Sequence, residues 1–337
     1  MTGGGHDEHD GRGRTDGHDE PDGRRRSGAM ARASLAFGLV CIAMTGVVLA
    51  LDVDPTVGGN NAPALLGAAF VAIGLGLHGM AMNDLLDLQR DRLLAAGRML
   101  ASRRVGPAQA ALMATAALIL ALLGAGLLGG QSIFVLVLLA AGLLFYNAMA
   151  RFIPAIGLLM PGLLLAGLSM LSGWPPPVPW LPWSLFTACV AVALLIHLVA
   201  DKRPRPSPRA MVGLTLEWVV VSVLLLVVPL NAHSVEDPLA GGQGDAGWAL
   251  VWPAAAIVLL CLLLGQRLRH AHNSVRVADR LLRTTGIWTG VFAASWCMAV
   301  DAHGWAIAFA AATAAAVAGL GVLGELWSGD RGAVGWR

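Results

Sequence analysis

Residues 63–105 read PALLGAAFVAIGLGLHGMAMNDLLDLQRDRLLAAGRMLASRRV. The first 20 of these, Pro63 to Met82, carry no Asp, Glu, Lys or Arg. A helix of about 20 apolar residues crosses the ~30 Å hydrocarbon core of a bilayer. The remainder turns abruptly polar. A span that ends in a dense charged segment predicts a membrane helix delivering its last turns to one aqueous face.

The pattern recurs along the chain. Apolar runs occupy approximately 33–51, 63–82, 108–129, 131–148, 155–172, 183–200, 211–230, 247–265, 286–300 and 304–326. Hydrophobic residues make up 56% of the 337 positions and charged residues 13%, with a mean hydropathy of +0.68. Soluble domains carry about 25% charged residues, so an ordinary soluble fold is excluded. The short alternating segments of a membrane β-barrel do not occur. The fold class expected is all-α, a polytopic transmembrane helical bundle of about ten helices. The ninth run is short, and the ninth and tenth are expected to form a tight hairpin around Asp301 and His303. Cys41, Cys189, Cys261 and Cys297 all lie in apolar runs and read as small core residues without a disulfide.

Outside these runs, residues 1–30 are Gly-rich and charged and read as a disordered cytoplasmic tail. Its His6, His9 and His18 stand among acids, where weak metal binding competes with simple solvation. Residues 31–326 form the membrane domain and 327–337 a short C-terminal tail. With ten spans, all 23 Lys and Arg fall in the tails or in loops on one side. The opposite loops, 52–62, 173–182, 231–246 and 301–303, have none. Positive loops face the cytoplasm, so both termini are expected there, in a multi-pass protein of the cell (inner) membrane. Charges gathered at one face also argue against a transporter, whose sites lie near the midplane.

The polar end of the second span carries the chemistry. Asp84, Asp87 and Asp91 are spaced i, i+3, i+7 and fall within roughly 60° of one helical face, with Asn83 beside them. Such carboxylates suit a hard divalent cation that bridges protein and phosphate. The competing reading is a solvated helix end balanced by Arg90 and Arg92.

The phrase N-D-x-x-D-x-x-x-D (Asn83, Asp84, Asp87, Asp91) followed by R-x-L-x-S-x-R (Arg98, Leu100, Ser102, Arg104) resembles the UbiA superfamily of intramembrane prenyltransferases. FYNAMARFIPAIG at the end of the fourth span is similar to the family's tyrosine-plus-basic segment, with Tyr146 and Arg151 matching. Arg267, Arg269 and Asn273 fit the family layout loosely. The resemblance covers roughly residues 33–300. It implies a nine-helix core plus an extra C-terminal helix, and transfer of an isoprenoid from an allylic diphosphate to a lipophilic acceptor, an aromatic one foremost. It further implies Mg²⁺ held by Asp84, Asp87, Asp91 and Asp201. Phosphate contacts would come from Asn83, Arg98, Ser102, Arg104 and Arg151, and Tyr146 would face the allylic cation or serve as an interfacial anchor. The expected partners are the prenyl diphosphate, the acceptor and membrane lipids, with no nucleic acid; the oligomeric state stays open.

The second acidic motif of that family departs here. HLVADKRPRPSPRAM keeps Asp201, but the position four later is Arg205, and Arg209 follows. Prolines 204, 206 and 208 exclude a regular helix in between. Two readings follow. Either Lys202, Arg205 and Arg209 bind the diphosphate in place of a second metal, or the protein binds prenyl lipids or acts as a scaffold without efficient transfer. His197, four residues before Asp201, shares its helical face. Glu217, one or two turns inside the seventh span, is a candidate contact for the acceptor's polar head, since ionisable groups within spans mark function by default, or else pairs with an arginine of the cytoplasmic face.

The charge asymmetry makes a direct prediction. Green fluorescent protein fused after Arg337 should fluoresce in a bacterial host, and alkaline phosphatase fused in the 231–246 loop should be active. The opposite pattern would overturn the orientation.

Overall fold

The computed structural model describes residues 21–53, 61–94, 100, 105–173, 178–200, 206–232, 250–269 and 274–328. Eleven α-helices occur among them: α1 (Pro21–Val53), α2 (Ala62–Leu86), α3 (Leu88–Leu94), α4 (Pro107–Leu128), α5 (Gly130–Ala148), α6 (Pro154–Leu168), α7 (Trp180–Val199), α8 (Pro208–Ala232), α9 (Val251–Arg269), α10 (Ser274–Ala299) and α11 (His303–Ser328). A 3₁₀ turn, Ala150–Phe152, joins α5 to α6. Each of the ten apolar runs becomes a helix, and α3 is the short polar extension of α2.

Eight helices are long and apolar enough to cross a membrane. Of the others described, α6 has only 15 residues, and α10 carries Arg280, Arg283 and Asp279 in its first half. The chain is an integral, multi-pass membrane protein. Large apolar side chains such as Phe134, Leu216, Leu262 and Ile307 are exposed on its outside, as a lipid solvent permits.

Lipid supplies no hydrophobic force between helices, so spans associate by close packing and small residues. Helix α2 packs along α4 and α5, α1 along α2 and α10, α6 along α7 and α8, and α10 along α9 and α11. At two of these seams the backbones nearly touch. A Cβ on Gly74 of α2 would stand 2.5 Å from the Ala117 carbonyl of α4, and one on Gly286 of α10 would stand 2.5 Å from the Ser34 carbonyl of α1. The main core runs through the bundle on Leu49, Val71, Leu136, Leu168, Leu281 and Trp296.

The short ninth run extends into the full 26 residues of α10. Its first half is amphipathic: Val277 and Leu281 are buried while Arg280 is exposed. A hydropathy scan stops at the arginines, but the helix does not. The expected hairpin follows, with Asp301 at a left-handed φ of 61°, Ala302 N donating to Cys297 O at 2.8 Å and His303 N to Asp301 O at 2.8 Å. The four cysteines are free thiols.

Valine in place of Gly286 inserts bulk where no atom can yield. We expect Gly286→Val to destabilise the bundle by about 1–3 kcal/mol, read as an earlier loss of the monodisperse peak on heating in detergent. Gly319→Ala, which meets nothing within 4 Å, should leave that profile unchanged.

Candidate functional site

Helix α2 yields to α3 at Asp87, which sits in a turn yet keeps the helical hydrogen-bond phase. Asp87 N donates to Asn83 O at 3.0 Å, and Asp91 N to Asp87 O at 2.8 Å. Asn83, Asp87 and Asp91 therefore continue one stripe. Asp87 and Asp91 are each 8% exposed, and Asp84 is half-buried beside them. Two carboxylates kept from solvent at a membrane face need compensation.

Part of it comes from the far side of the α5–α6 junction. Pro154 opens α6 and forces Ile153 into extended backbone (φ −102°, ψ 108°). The preceding residues close as a 3₁₀ turn, with Phe152 N on Met149 O at 3.1 Å and Ile153 N on Ala150 O at 2.9 Å. The turn folds tightly against α6, where a Cβ on Gly157 would stand 2.8 Å from Ala150 O. This geometry aims Arg151 at α2.

Arg151 Nη1 donates to Asn83 Oδ1 at 2.6 Å and to Asp87 Oδ2 at 2.8 Å, while Nη2 donates to Asp87 Oδ1. The guanidinium thus grips the carboxylate with both forks, the strongest form of such pairing. Its Nε is buried without an acceptor, and the Phe152 ring lies 4.7 Å from its Cζ. Nearby, Asn147 Nδ2 donates to Gly79 O at 3.2 Å, and His78 Nδ1 meets Ala114 O at 3.0 Å. Those two bonds lock α2 to α5 and α4 one turn before the charged end. Tyr146 is half-buried at the end of α5, ahead of Arg151 in the turn that follows. Cys189 lines a small apolar void of about 20 Å³ between α1, α6, α7 and α10.

Asp84, Asp87, Asp91, Asn83, Tyr146 and Arg151 occupy one region. Arg209 is exposed in the first turn of α8, where Ser207 Oγ caps Ala210 N at 3.2 Å. Glu217 lies deeper in α8 with a buried Oε2 that has no hydrogen-bond partner. Neither residue is hydrogen-bonded or ion-paired to Asp87 or Arg151. Arg98, Ser102, Arg104, Asp201, Lys202, Arg205 and Asn273, and the tail residues His6, His9 and His18, lie outside the described residues. Phe152 and Asn147 are additions that residue type alone did not single out. A larger apolar groove, about 480 Å³, runs between α10 and α11 past Ala294, Thr313 and Val317 and involves none of the site residues.

The donors suit Mg²⁺. Carboxylate and amide oxygens are hard ligands, and Mg²⁺ commonly takes one or two carboxylates together with phosphate and water. Among the described residues no three acidic, imidazole or thiol side chains gather around one point, so a metal held here would need oxygen ligands from a bound phosphate or water as well.

No protein-family model and no curated protein matches the chain in sequence. Its three-dimensional arrangement does find relatives. A structure of digeranylgeranylglyceryl phosphate synthase superposes with a TM-score of 0.54 at 17% identity, covering 82% of this chain and 99% of that one. The chain shares the membrane helical-bundle fold of that synthase. A UbiA homolog from Aeropyrum pernix K1 gives a TM-score of 0.49 at 18% identity, over 75% of this chain and 96% of that one.

Because the pair is largely shielded, removing one partner strands the other. Asp87→Ala or Arg151→Ala should each cost about 3 kcal/mol, and the double variant should cost clearly less than their sum. Additive losses in a denaturation series would show that the contact is energetically idle.

Proposed function

We propose that this UbiA-like protein is an intramembrane prenyltransferase, moving an isoprenoid from an allylic diphosphate to a lipophilic acceptor with Mg²⁺. The observation that carries this reading is the cluster of Asn83, Asp87 and Arg151, which joins acid and guanidinium chemistry at the mouth of an apolar bundle. Asp87 and Asp91, with Asp84 and Asp201, would hold the metal. Bound Mg²⁺ supplies charge that neutralises a departing diphosphate.

The residues of the chain do the rest. Arg151 offers planar, multidentate donors suited to phosphate oxygens, and its unpaired Nε is a donor in reserve. Lys202, Arg205 and Arg209, with Arg98, Ser102 and Arg104, would extend the basic seat across the neighbouring loops. The Tyr146 ring, near the charged end of α5, would stabilise a developing allylic cation through its π face. The isoprenoid tail would lie along the apolar helix faces that adjoin this end of the bundle, away from water. Glu217 would meet the acceptor's polar head.

A second reading is supported by a specific observation. Asp87 is already neutralised by Arg151, and Arg205 stands where a second acid would complete another metal site. A protein so arranged would bind prenyl lipids, or act as a membrane scaffold, with little transfer.

The assay that separates them uses purified protein, Mg²⁺, labelled allylic diphosphates of several lengths and a mixed pool of lipophilic acceptors. The transferase reading expects labelled lipid product that disappears on chelation and falls by at least about 100-fold in Asp87→Ala, more than 2.7 kcal/mol at 1.36 kcal/mol per decade. Product formation indifferent to Asp87 would sink it.

A further inference from the structure

Arg151 occupies both oxygens of Asp87, the buried carboxylate best placed to ligate a cation. Two positive charges cannot share that carboxylate at bonding distance without strong repulsion. We infer that Arg151 is a built-in counter-ion that occupies the metal position of Asp87 and leaves it for the diphosphate, so that divalent cation and diphosphate bind as a coupled pair. This rests on the transferase reading for its ligands, but not on turnover.

The geometry makes the exchange economical. Asp87 is 8% exposed and is costly to leave as a lone charge. The guanidinium satisfies it until a cation arrives. The Arg151 side chain is 18% exposed, so a guanidinium displaced within the site keeps a shielded charge that an anion relieves. A diphosphate supplies one. The Nε–H, buried and without an acceptor, is a further donor that a phosphate oxygen gains once the guanidinium turns from Asp87. The Phe152 ring, 4.7 Å from Cζ, supports the guanidinium face by cation–π attraction and leaves its edge donors available. Asn83 Oδ1, which accepts from Nη1 at 2.6 Å, is released in the same step and becomes an added oxygen for the cation. Metal alone must expel Arg151 into a poor environment, and diphosphate alone must pull it from its carboxylate. Together each removes the other's obstacle, which is positive linkage between two ligands.

The consequence is a pair of opposite signs in one variant. Full-length protein in nanodiscs is titrated with Mn²⁺, followed by electron paramagnetic resonance, and separately with inorganic pyrophosphate at saturating Mg²⁺, followed by calorimetry. Arg151→Gln should bind Mn²⁺ alone about tenfold more tightly than the unaltered chain, within the usual 5–150-fold range of coupling, and should bind pyrophosphate about tenfold more weakly. Arg151→Lys, which keeps the charge but loses the fork, should move both affinities the same way by less, and it carries the test if the glutamine variant does not fold. In Asp87→Asn/Arg151→Gln the gain in Mn²⁺ affinity should vanish, which assigns it to this carboxylate. Mn²⁺ binding that is unchanged or weakened in both single variants would overturn the exchange. The two readings also separate. Opposite shifts without any prenyl transfer leave the exchange standing and remove the transferase, whereas transfer with unchanged Mn²⁺ affinity removes the exchange alone.

Discussion

The bond between the Arg151 guanidinium and the Asp87 carboxylate constrains everything at the charged end of the bundle. A carboxylate at the edge of hydrocarbon has few ways to persist. It protonates, reaches water, binds a cation, or pairs. Here it pairs with a side chain 64 positions away in sequence, which fixes the end of α2 against the α5–α6 junction. The supporting contacts make sense around that bond. Gly157 lets the 3₁₀ turn lie against α6, Pro154 sets the backbone just before it, and Asn147 and His78 satisfy carbonyls one turn deeper. Remove the charge pair and this local order has no evident purpose.

The rest of the bundle solves a different problem with different means. Spans in lipid gain nothing by hiding apolar surface from one another, and this chain relies on backbone proximity instead. Gly74 against Ala117 and Gly286 against Ser34 are cases where only hydrogen fits. These rigid seams join α1, α2, α4 and α10. The α6–α7–α8 group adds a second cluster, with Leu158, Phe186 and Leu214 at its centre, while Leu168 of α6 and Leu185 of α7 belong to the main core. The charge pair therefore anchors the start of a helix, α6, that contributes to both clusters.

What could be read from the sequence follows from the range of each interaction. The ten runs are legible because membrane insertion is decided by local hydropathy. The hairpin at Asp301 is legible because a three-residue break holding Asp301 and His303 between apolar runs leaves little else to form. The full length of α10 is not, since its first two turns gain stability from burying Val277 and Leu281 against neighbouring helices while Arg280 faces outward. A window average cancels those two tendencies. At the site, the Asn83–Asp87–Asp91 stripe is a local helical fact and was readable. That Arg151 would select Asp87 in the absence of ligand was not, because a contact across 64 residues leaves no periodic trace. Phe152 and Asn147 escaped for the same reason: ordinary residues that matter only through what lies across from them.

The one-sided positive charge takes on a more specific meaning in this light. Arginine excess on cytoplasmic loops orients a membrane protein whatever its chemistry. Yet one arginine, Arg151, is drawn inward and spent on a carboxylate. A guanidinium held against that carboxylate shifts the local field toward anions. An anion arriving at such a face is attracted before any metal is in place, and a metal arriving alone meets a site already neutral. The order of these affinities is set by where the protein keeps its own positive charge, and that is a property of the folded junction rather than of net composition.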